Sequence, residues 1–348
     1  MSRRAGIVAL LLCWMASLAV CAEAPVRFGV LGLFHPEEIE LRAAGAEVLM
    51  VSGGPQPVVL NGEPGHRSLL LRAAGDRVVF AGSAVTQIRV SGRGGGTGRL
   101  QLRIPAKIVR TYTGLLAITA RDGQLIVTLE MEREQAVAAI VASEMPQGAP
   151  LEALKAQAVV TRSFMAAGGR HRDFDFCDTT HCQFLRTPDD AGSQVLKATE
   201  ETSGQVLTWN QHPIAAMYSS RCGGQTISMR EAGADSGNGY PYYSVRCRWC
   251  REHPLHWTRQ IESESVAVPK AGDEAARIRY AREKGWSALP GNQFSISHAE
   301  DGEWAEGRNL GHGLGLCQLG AMGMAARGQD FRTILMTYYP NSSLERLP

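Results

Sequence analysis

An α+β fold is predicted, β-rich in its first third and mixed after it, and three observations predict it. Short apolar runs broken by glycine, proline and Asn-Gly or Asp-Gly pairs fill residues 26 to 130. Apolar residues switch to helical spacing from Glu132, and strand-like alternation returns from residue 204. Helices inserted among β-rich segments differ from the regular strand-helix alternation of a parallel doubly wound sheet.

In chain order, "LLAITARDGQLIVTL" predicts a hairpin, because apolar residues alternate on both sides of Asp122 and Gly123, and that pair suits a tight turn. "SGRGGGTG" at 91–98 lacks the Lys-Ser/Thr and the following helix of a phosphate loop, so it is expected to be a hairpin tip. Val137, Ile140 and Val141 predict a helix that ends at Pro146, since the residue before a proline avoids α geometry. A second helix is expected from Pro150 to about Ala167, stopped by Gly168 and Gly169. Residues 204–229 read as strands around an Asn-Gln turn. "AGDEAARIRYAREKGW" reads as a charged helix, and the last block is glycine-rich and then helical.

The first 22 residues have the order of an export signal: Arg3 and Arg4, an apolar stretch from Ala5 to Val20, then small residues. Cys21 in "LAVC" is close to a lipoprotein signal, but Val20 is larger than the residue usually found there, so anchoring at Cys21 is the lesser alternative. Two further divisions are expected, a β-rich region at 25–130 and a domain at 131–348. No other run approaches spanning length, which leaves no transmembrane helix after signal removal. Without residues 1–22 the chain holds 34 basic and 34 acidic residues, a balance that argues against a nucleic-acid partner. Six cysteines then remain, at 177, 182, 222, 247, 250 and 317; in an exported protein an even number favours disulfides, with fifteen pairings open.

Chemistry can arise at several places. Glu144 ends the first helix, and Lys155 and Arg162 stand seven apart on one face of the second. If the first helix folds back on that face, Glu144 sits between two cations; an exposed ion pair is the alternative. "FCDTTHCQF" packs Cys177, His181 and Cys182 at spacing that suits Zn²⁺ with a fourth ligand from elsewhere, or a disulfide with His181 as a polar pocket residue. Cys247, Cys250, His253 and His256 resemble half a zinc module, but Pro254 and the short arc favour a stapled loop. Tyr218, Ser219, Ser220, His312 and Gln318 sit in glycine-rich stretches that suit a hydroxyl-rich ligand. A triad of Ser219, His312 and Asp235 or Asp178 is conceivable on residue types, but no "GxSxG" elbow is present.

These residues lie in "SEMPQGAPLEALKAQAVVTRSF", "CDTTHCQ", "TSGQVLTW…PIAAMYSSRCGG" and "GHGLGLCQLGAMGMAARGQDFRTILMTYYP", and at these blocks the sequence resembles the SpoIID/LytB family, in the family's order. The resemblance implies a SpoIID-like catalytic core and a lytic transglycosylase of peptidoglycan. Such an enzyme cuts the β-1,4 link from N-acetylmuramic acid to N-acetylglucosamine and leaves 1,6-anhydro ends, in the sporulation branch on strands stripped of stem peptides. Glu144 falls on the family's catalytic glutamate, and Lys155 and Arg162 on basic positions of the same motif. Gln183, Tyr218, Ser219, His312 and Gln318 would line the glycan groove.

No cofactor is required for that chemistry, and the resemblance adds a structural zinc near Cys177, His181 and Cys182, a site not shared by all members. One acid suffices where the substrate's own hydroxyl attacks, whereas hydrolysis by water uses two carboxylates; the motif blocks offer only Asp178 as a second. The family commonly has serine where this chain has Cys317, which raises a Cys222–Cys317 disulfide. The LytB name belongs to modifiers of an N-acetylmuramoyl-L-alanine amidase, so a non-catalytic glycan binder partnering a cell-wall amidase is the rival reading. A zinc-dependent hydrolase built on His181 is a third. An exported protein, periplasmic, wall-associated or extracellular, is expected.

Overall fold

The hairpin at Asp122–Gly123 organises the first third. The computed structural model describes residues 24–186, 192–232, 239–261, 267–300 and 302–347; the expected export segment with Cys21, and Asp235, lie outside them. The strands are β1 (Val26–Val30), β2 (Glu38–Ala43), β3 (Leu49–Ser52), β4 (Val58–Leu60), β5 (Ser68–Ala74), β6 (Arg77–Phe80), β7 (Ser83–Val85), β8 (Gln87–Gly92), β9 (Gly98–Ile104), β10 (Ile108–Arg121) and β11 (Gln124–Met131). β10 and β11 pair from Leu115↔Glu130 to Arg121↔Gln124. Asp122 and Gly123 take φ of 51° and 77°, the left-handed turn that the Asp-Gly pair supplies. Alternate residues Leu116, Ile118, Leu125, Val127 and Leu129 are buried, as a half-covered antiparallel strand requires. Each such side chain contributes about 1.5–3 kcal/mol.

The curled sheet runs β1-β11-β10-β9-β2-β5-β6-β7, with β8 bridging β10 and β3, and β4 beyond β3. One expectation fails here. β8 and β9 do not pair as a hairpin; they lie end to end along β10, with Val90 opposite Leu116 and Gly98 opposite Gly114. Residues 93–97 are looped out of one strand line, and the loop is closed by Gly92 N–H donating to Gly96 O at 2.7 Å. A Cβ at Gly98 would come within 3.0 Å of Gly92 N, so glycine serves close backbone approach there.

α1 (Arg133–Glu144) stops where Met145 turns extended before Pro146. α2 (Leu151–Ala166), with Pro150 at its N-cap, is buried along nearly its whole length. It packs on α1, and against α3 (Ser193–Glu201) and β13 (Gln205–Trp209). Between α2 and α3 the chain adds β12 (Phe176–Cys177), parallel to β1 at the sheet edge. β13 turns through Asn210 and Gln211, both at positive φ, into β14 (His212–Pro213).

Then follow β15 (Tyr218–Ser219), α4 (Arg248–Glu252), β16 (Trp257–Gln260), α5 (Glu274–Lys284), β17 (Phe294–Ala299), β18 (Gly302–Gly307), β19 (Leu316–Cys317), α6 (Gln318–Ala325), α7 (Phe331–Tyr338) and β20 (Ser343–Arg346). β15 and β19 form a parallel pair, Tyr218↔Leu316 and Ser219↔Cys317. Sheet and helices share one continuous core, and a smaller one gathers Trp257, Tyr280, Leu289 and Phe294. Among the described residues no helix is long and apolar enough to cross a membrane.

Candidate functional site

α1 delivers Glu144 at its last turn, and the proline break frees the side chain to turn toward β15. One carboxyl oxygen, Oε1, accepts the Phe184 N–H at 2.8 Å and lies 3.0 Å from the Tyr218 hydroxyl. That hydroxyl has one hydrogen to give and also stands 3.3 Å from Gln183 Oε1. Gln318 Nε2 lies 3.4 Å from the Glu144 carbonyl and 3.4 Å from Gln157 Oε1, so α6 and α2 brace the end of α1. Protein surrounds the carboxyl, and burial raises its pKa against these hydrogen bonds and the Arg186 charge, which act in the lowering direction.

The group opens on a cavity of about 290 Å³ that Tyr218, Ser219, His312 and Gln318 also line. His312 Nδ1 accepts the Leu314 N–H at 2.9 Å, and burial pushes its pKa down, so the ring is neutral. Ser219 Oγ is buried with no hydrogen-bond partner, and among the described residues no carboxylate is bonded to His312. Asp178 accepts from Leu31 N–H and the Tyr112 hydroxyl. The triad of Ser219, His312 and Asp178 is therefore not assembled. A second carboxylate, Glu274, lines the same cavity, but both its oxygens are held by Arg277 at 2.6 and 2.8 Å.

Lys155 and Arg162 are not beside Glu144. Lys155 Nζ pairs with Glu152 at 2.7 Å and Glu201 at 2.6 Å. Arg162, fully buried, grips both oxygens of Glu134 at 2.6 and 2.7 Å and donates to the carbonyl of Gln205. The seven-residue spacing did put both on one face of α2, but that face packs toward α1 and α3. Gln157 and Thr161, about 200° and about 240° round from Lys155 at 100° per residue, carry the network toward the site. Gln157 touches Gln318, and the Thr161 carbonyl accepts from Gln183. The cation that acts on Glu144 is Arg186, stacked 3.8 Å over the Phe184 ring. Only its place three residues beyond Gln183 could have pointed to it.

His171 completes the set begun by Cys177, His181 and Cys182: one ligand atom from each lies within 4.8 Å of all the others. Individual separations are 3.2 Å for His171 Nε2 to Cys182 Sγ, 3.4 Å for His181 Nδ1 to Cys182 Sγ and 3.7 Å for His181 Nδ1 to Cys177 Sγ. Nitrogen and sulfur ligands of a tetrahedral zinc stand about 3.6 Å apart, given bonds of about 2.05 and 2.3 Å. A hydrogen bond from Cys182 holds the Cys177 thiol well below its usual range, as a metal-ligating thiolate requires. These four donors fit a closed structural zinc site, with no position left for a zinc-bound water, so they are not arranged as a hydrolase centre.

None of the six described cysteines is bridged. Cys247 and Cys250 are not stapled to each other, and they do not join His253, whose ring stacks on Trp249 at 3.9 Å. They approach Cys222 and Cys317 instead.

Fold and site define a protein with a raised-pKa carboxyl, Glu144, facing a cavity of mixed polar and apolar lining, flanked by a cysteine-histidine cluster in an α+β frame. The family model described as SpoIID, Stage II sporulation protein, matches residues 121–209. An uncharacterized protein of Brachyspira hyodysenteriae is 28% identical over 263 residues, covering 66% of this chain and 70% of that protein. Stage II sporulation protein D of Bacillus amyloliquefaciens is 28% identical over 256 residues, 59% and 72% of the two chains. The amidase enhancer of Bacillus subtilis is 23% identical over 286 residues, 59% of this chain and 39% of that protein. The match to the SpoIID model and the likeness to these relatives support the resemblance of the motif blocks to the SpoIID/LytB proteins.

Proposed function

We propose that this protein is an exported lytic transglycosylase that cuts peptidoglycan glycan strands at the muramic acid to glucosamine link. One observation carries the reading: among the described residues that line the cavity, Glu144 is the one carboxyl that no direct ion pair ties up, while Glu274 is held by Arg277. A hydrolase that uses water needs a second free carboxylate for the opposite side of the sugar ring. A transglycosylase does not.

Burial raises the Glu144 pKa and so favours the protonated form that a general acid needs. The acid gives its proton to the glycosidic oxygen as the bond from C1 to that oxygen breaks. The resulting carboxylate accepts the proton of the muramic acid 6-hydroxyl as O6 bonds to C1, giving the 1,6-anhydro ring. The acid is regenerated and no water is consumed. Phe184 N–H and the Tyr218 hydroxyl stabilise the carboxylate between the two transfers. The unpartnered Ser219 hydroxyl is the group left to hold a sugar hydroxyl, and the His312 ring lines the cavity beside it. Lys155 and Arg162 take no part in this reading.

A zinc held by His171, Cys177, His181 and Cys182 would supply structural cross-linking only. Those residues would fix the loop that presents Gln183 and the Phe184 N–H.

The test incubates wild type and Glu144→Gln with strands stripped of stem peptides and looks for anhydro-muramic ends by mass spectrometry. Wild type is expected to release them and the variant to fall to background. Likeness to the amidase enhancer supports a second reading, a glycan binder that accelerates an amidase. It predicts no anhydro ends from either protein and a faster added amidase with both.

A further inference from the structure

Four cysteines remain outside the glycan chemistry, and they come from three separate stretches. Cys222 follows β15 by three residues, Cys247 and Cys250 sit at the start of α4, and Cys317 ends β19. All four are buried. Their sulfur atoms lie within 4.8 Å of one another, and Cys250 and Cys317 are 3.5 Å apart. A disulfide requires about 2.05 Å. Four thiolates about 2.3 Å from one zinc stand about 3.8 Å apart along the edges of a tetrahedron.

The surroundings suit charged sulfur. Cys317 Sγ accepts the Gly320 N–H of the first turn of α6 at 3.4 Å, and Cys247 Sγ accepts from the Tyr338 hydroxyl at 3.4 Å. Such donors orient metal ligands and stabilise thiolates. A Cβ on Gly320 would collide with the Tyr338 hydroxyl and lie 2.7 Å from Cys247 Sγ, so glycine makes room for the cluster. Zinc with four thiolates carries two net negative charges. The open pocket beside Cys222 is lined by Arg246, Arg251 and Arg308, which offset that charge. Free cysteines buried as small apolar groups would fill the core equally well apart, with no reason for four to converge.

We infer that Cys222, Cys247, Cys250 and Cys317 bind a second zinc ion as a tetrathiolate that clasps the wall of the Glu144 cavity. Its ligands stand four residues past Tyr218 and one residue before Gln318, the two side chains that reach Glu144 from β15 and α6. In the β15–β19 pair Ser219 lies opposite Cys317. The ion therefore sets the register of the wall, and with four protein ligands it has a structural role. The inference stands whatever the cavity binds.

The full chain, purified without chelator or reductant, is expected to hold two zinc ions by elemental mass spectrometry. Cys247→Ser/Cys250→Ser is expected to hold one, and His171→Ala/Cys182→Ser is expected to keep the tetrathiolate ion. Wild type produced in cobalt-supplemented medium gives a second reading that does not depend on the first variant folding. Thiolate-to-cobalt absorption is expected at the strength of six thiolates, against two if only the cysteine-histidine cluster binds. Zinc content unchanged by Cys247→Ser/Cys250→Ser, iron in place of zinc, or disulfides among the four cysteines in a non-reduced digest would each overturn the site.

Discussion

Residues 26–131 and residues 171–325 are held together by different forces. The sheet half has no cysteine and buries alternate leucine, isoleucine and valine, so its stability is spread over many side chains of similar worth. The site half has more glycine-rich loops and several two-residue strands beside a smaller apolar core, and it adds two side-chain clusters, one of cysteine and histidine and one of cysteine alone, and the hydrogen bonds on Glu144. Phe164, Ile278, Trp286 and Leu310 share the cavity wall with the short polar side chains of Ser219 and Ser220. With metal bound at the two clusters, the stability of the site half would depend on them as cross-links.

Metal removal should break the comparison most visibly. Structural zinc is worth about 10–16 kcal/mol in small zinc modules, so chelation is expected to abolish hydrogen-exchange protection around β15, β19 and the 176–184 loop. β10 and β11 are expected to stay protected, as read by exchange mass spectrometry. Equal loss in both halves would mean that the sheet leans on the ions too.

Next in size is Glu144→Gln. General acid-base catalysis contributes about 10²–10⁴-fold, and loss of kcat near the upper end is expected with little change in KM. The stability effect has the opposite sign. Because the folded carboxyl has a raised pKa, its contribution is fully present below the ordinary glutamate range and is lost as pH rises through the folded value. At neutral pH the amide should therefore melt at the same temperature as wild type or above it. A lower Tm for the variant there would show that the ionised carboxyl stabilises the fold.

In the sheet half, Ile118→Ala should cost about 2–5 kcal/mol in a denaturant titration, while activity per folded molecule stays unchanged. An altered kcat would couple the halves. Tyr218→Phe is the smallest change and the sharpest probe of the site. It removes a hydrogen bond that lowers the Glu144 pKa, so the alkaline limb of kcat/KM should move to higher pH, with a loss of about 1.5–3 kcal/mol in carboxylate stabilisation. A limb that stays in place would separate Tyr218 from the acid.

Much of this was readable before any coordinates. Period and turn chemistry fixed α1, α2, the Asp122–Gly123 hairpin and the Asn210–Gln211 turn, because each depends on neighbours in sequence. Glu144 and the loop with Cys177 and Cys182 stood in recognisable blocks. What stayed hidden depends on distant partners. Spacing placed Lys155 and Arg162 on one helical face but could not say that Glu134, Glu152 and Glu201 cover it. His171 stands in a loop with no pattern, and β12 finds β1 from 148 residues away, as Phe176 pairs with Phe28. The four cysteines were divided between a stapled loop and a pair, since spacing within each stretch carries no information about the others. Residues 93–97 read in sequence as a hairpin tip, because glycine marks a break without saying whether the strand line resumes.

The most direct measurement digests stripped glycan strands with wild type in heavy-oxygen water and weighs the new ends. Attack by the substrate's own 6-hydroxyl predicts anhydro ends that contain no solvent oxygen and are lost in Glu144→Gln. New reducing ends that carry the heavy oxygen would contradict the account, since water would then be the nucleophile and a second carboxylate would have to be at work.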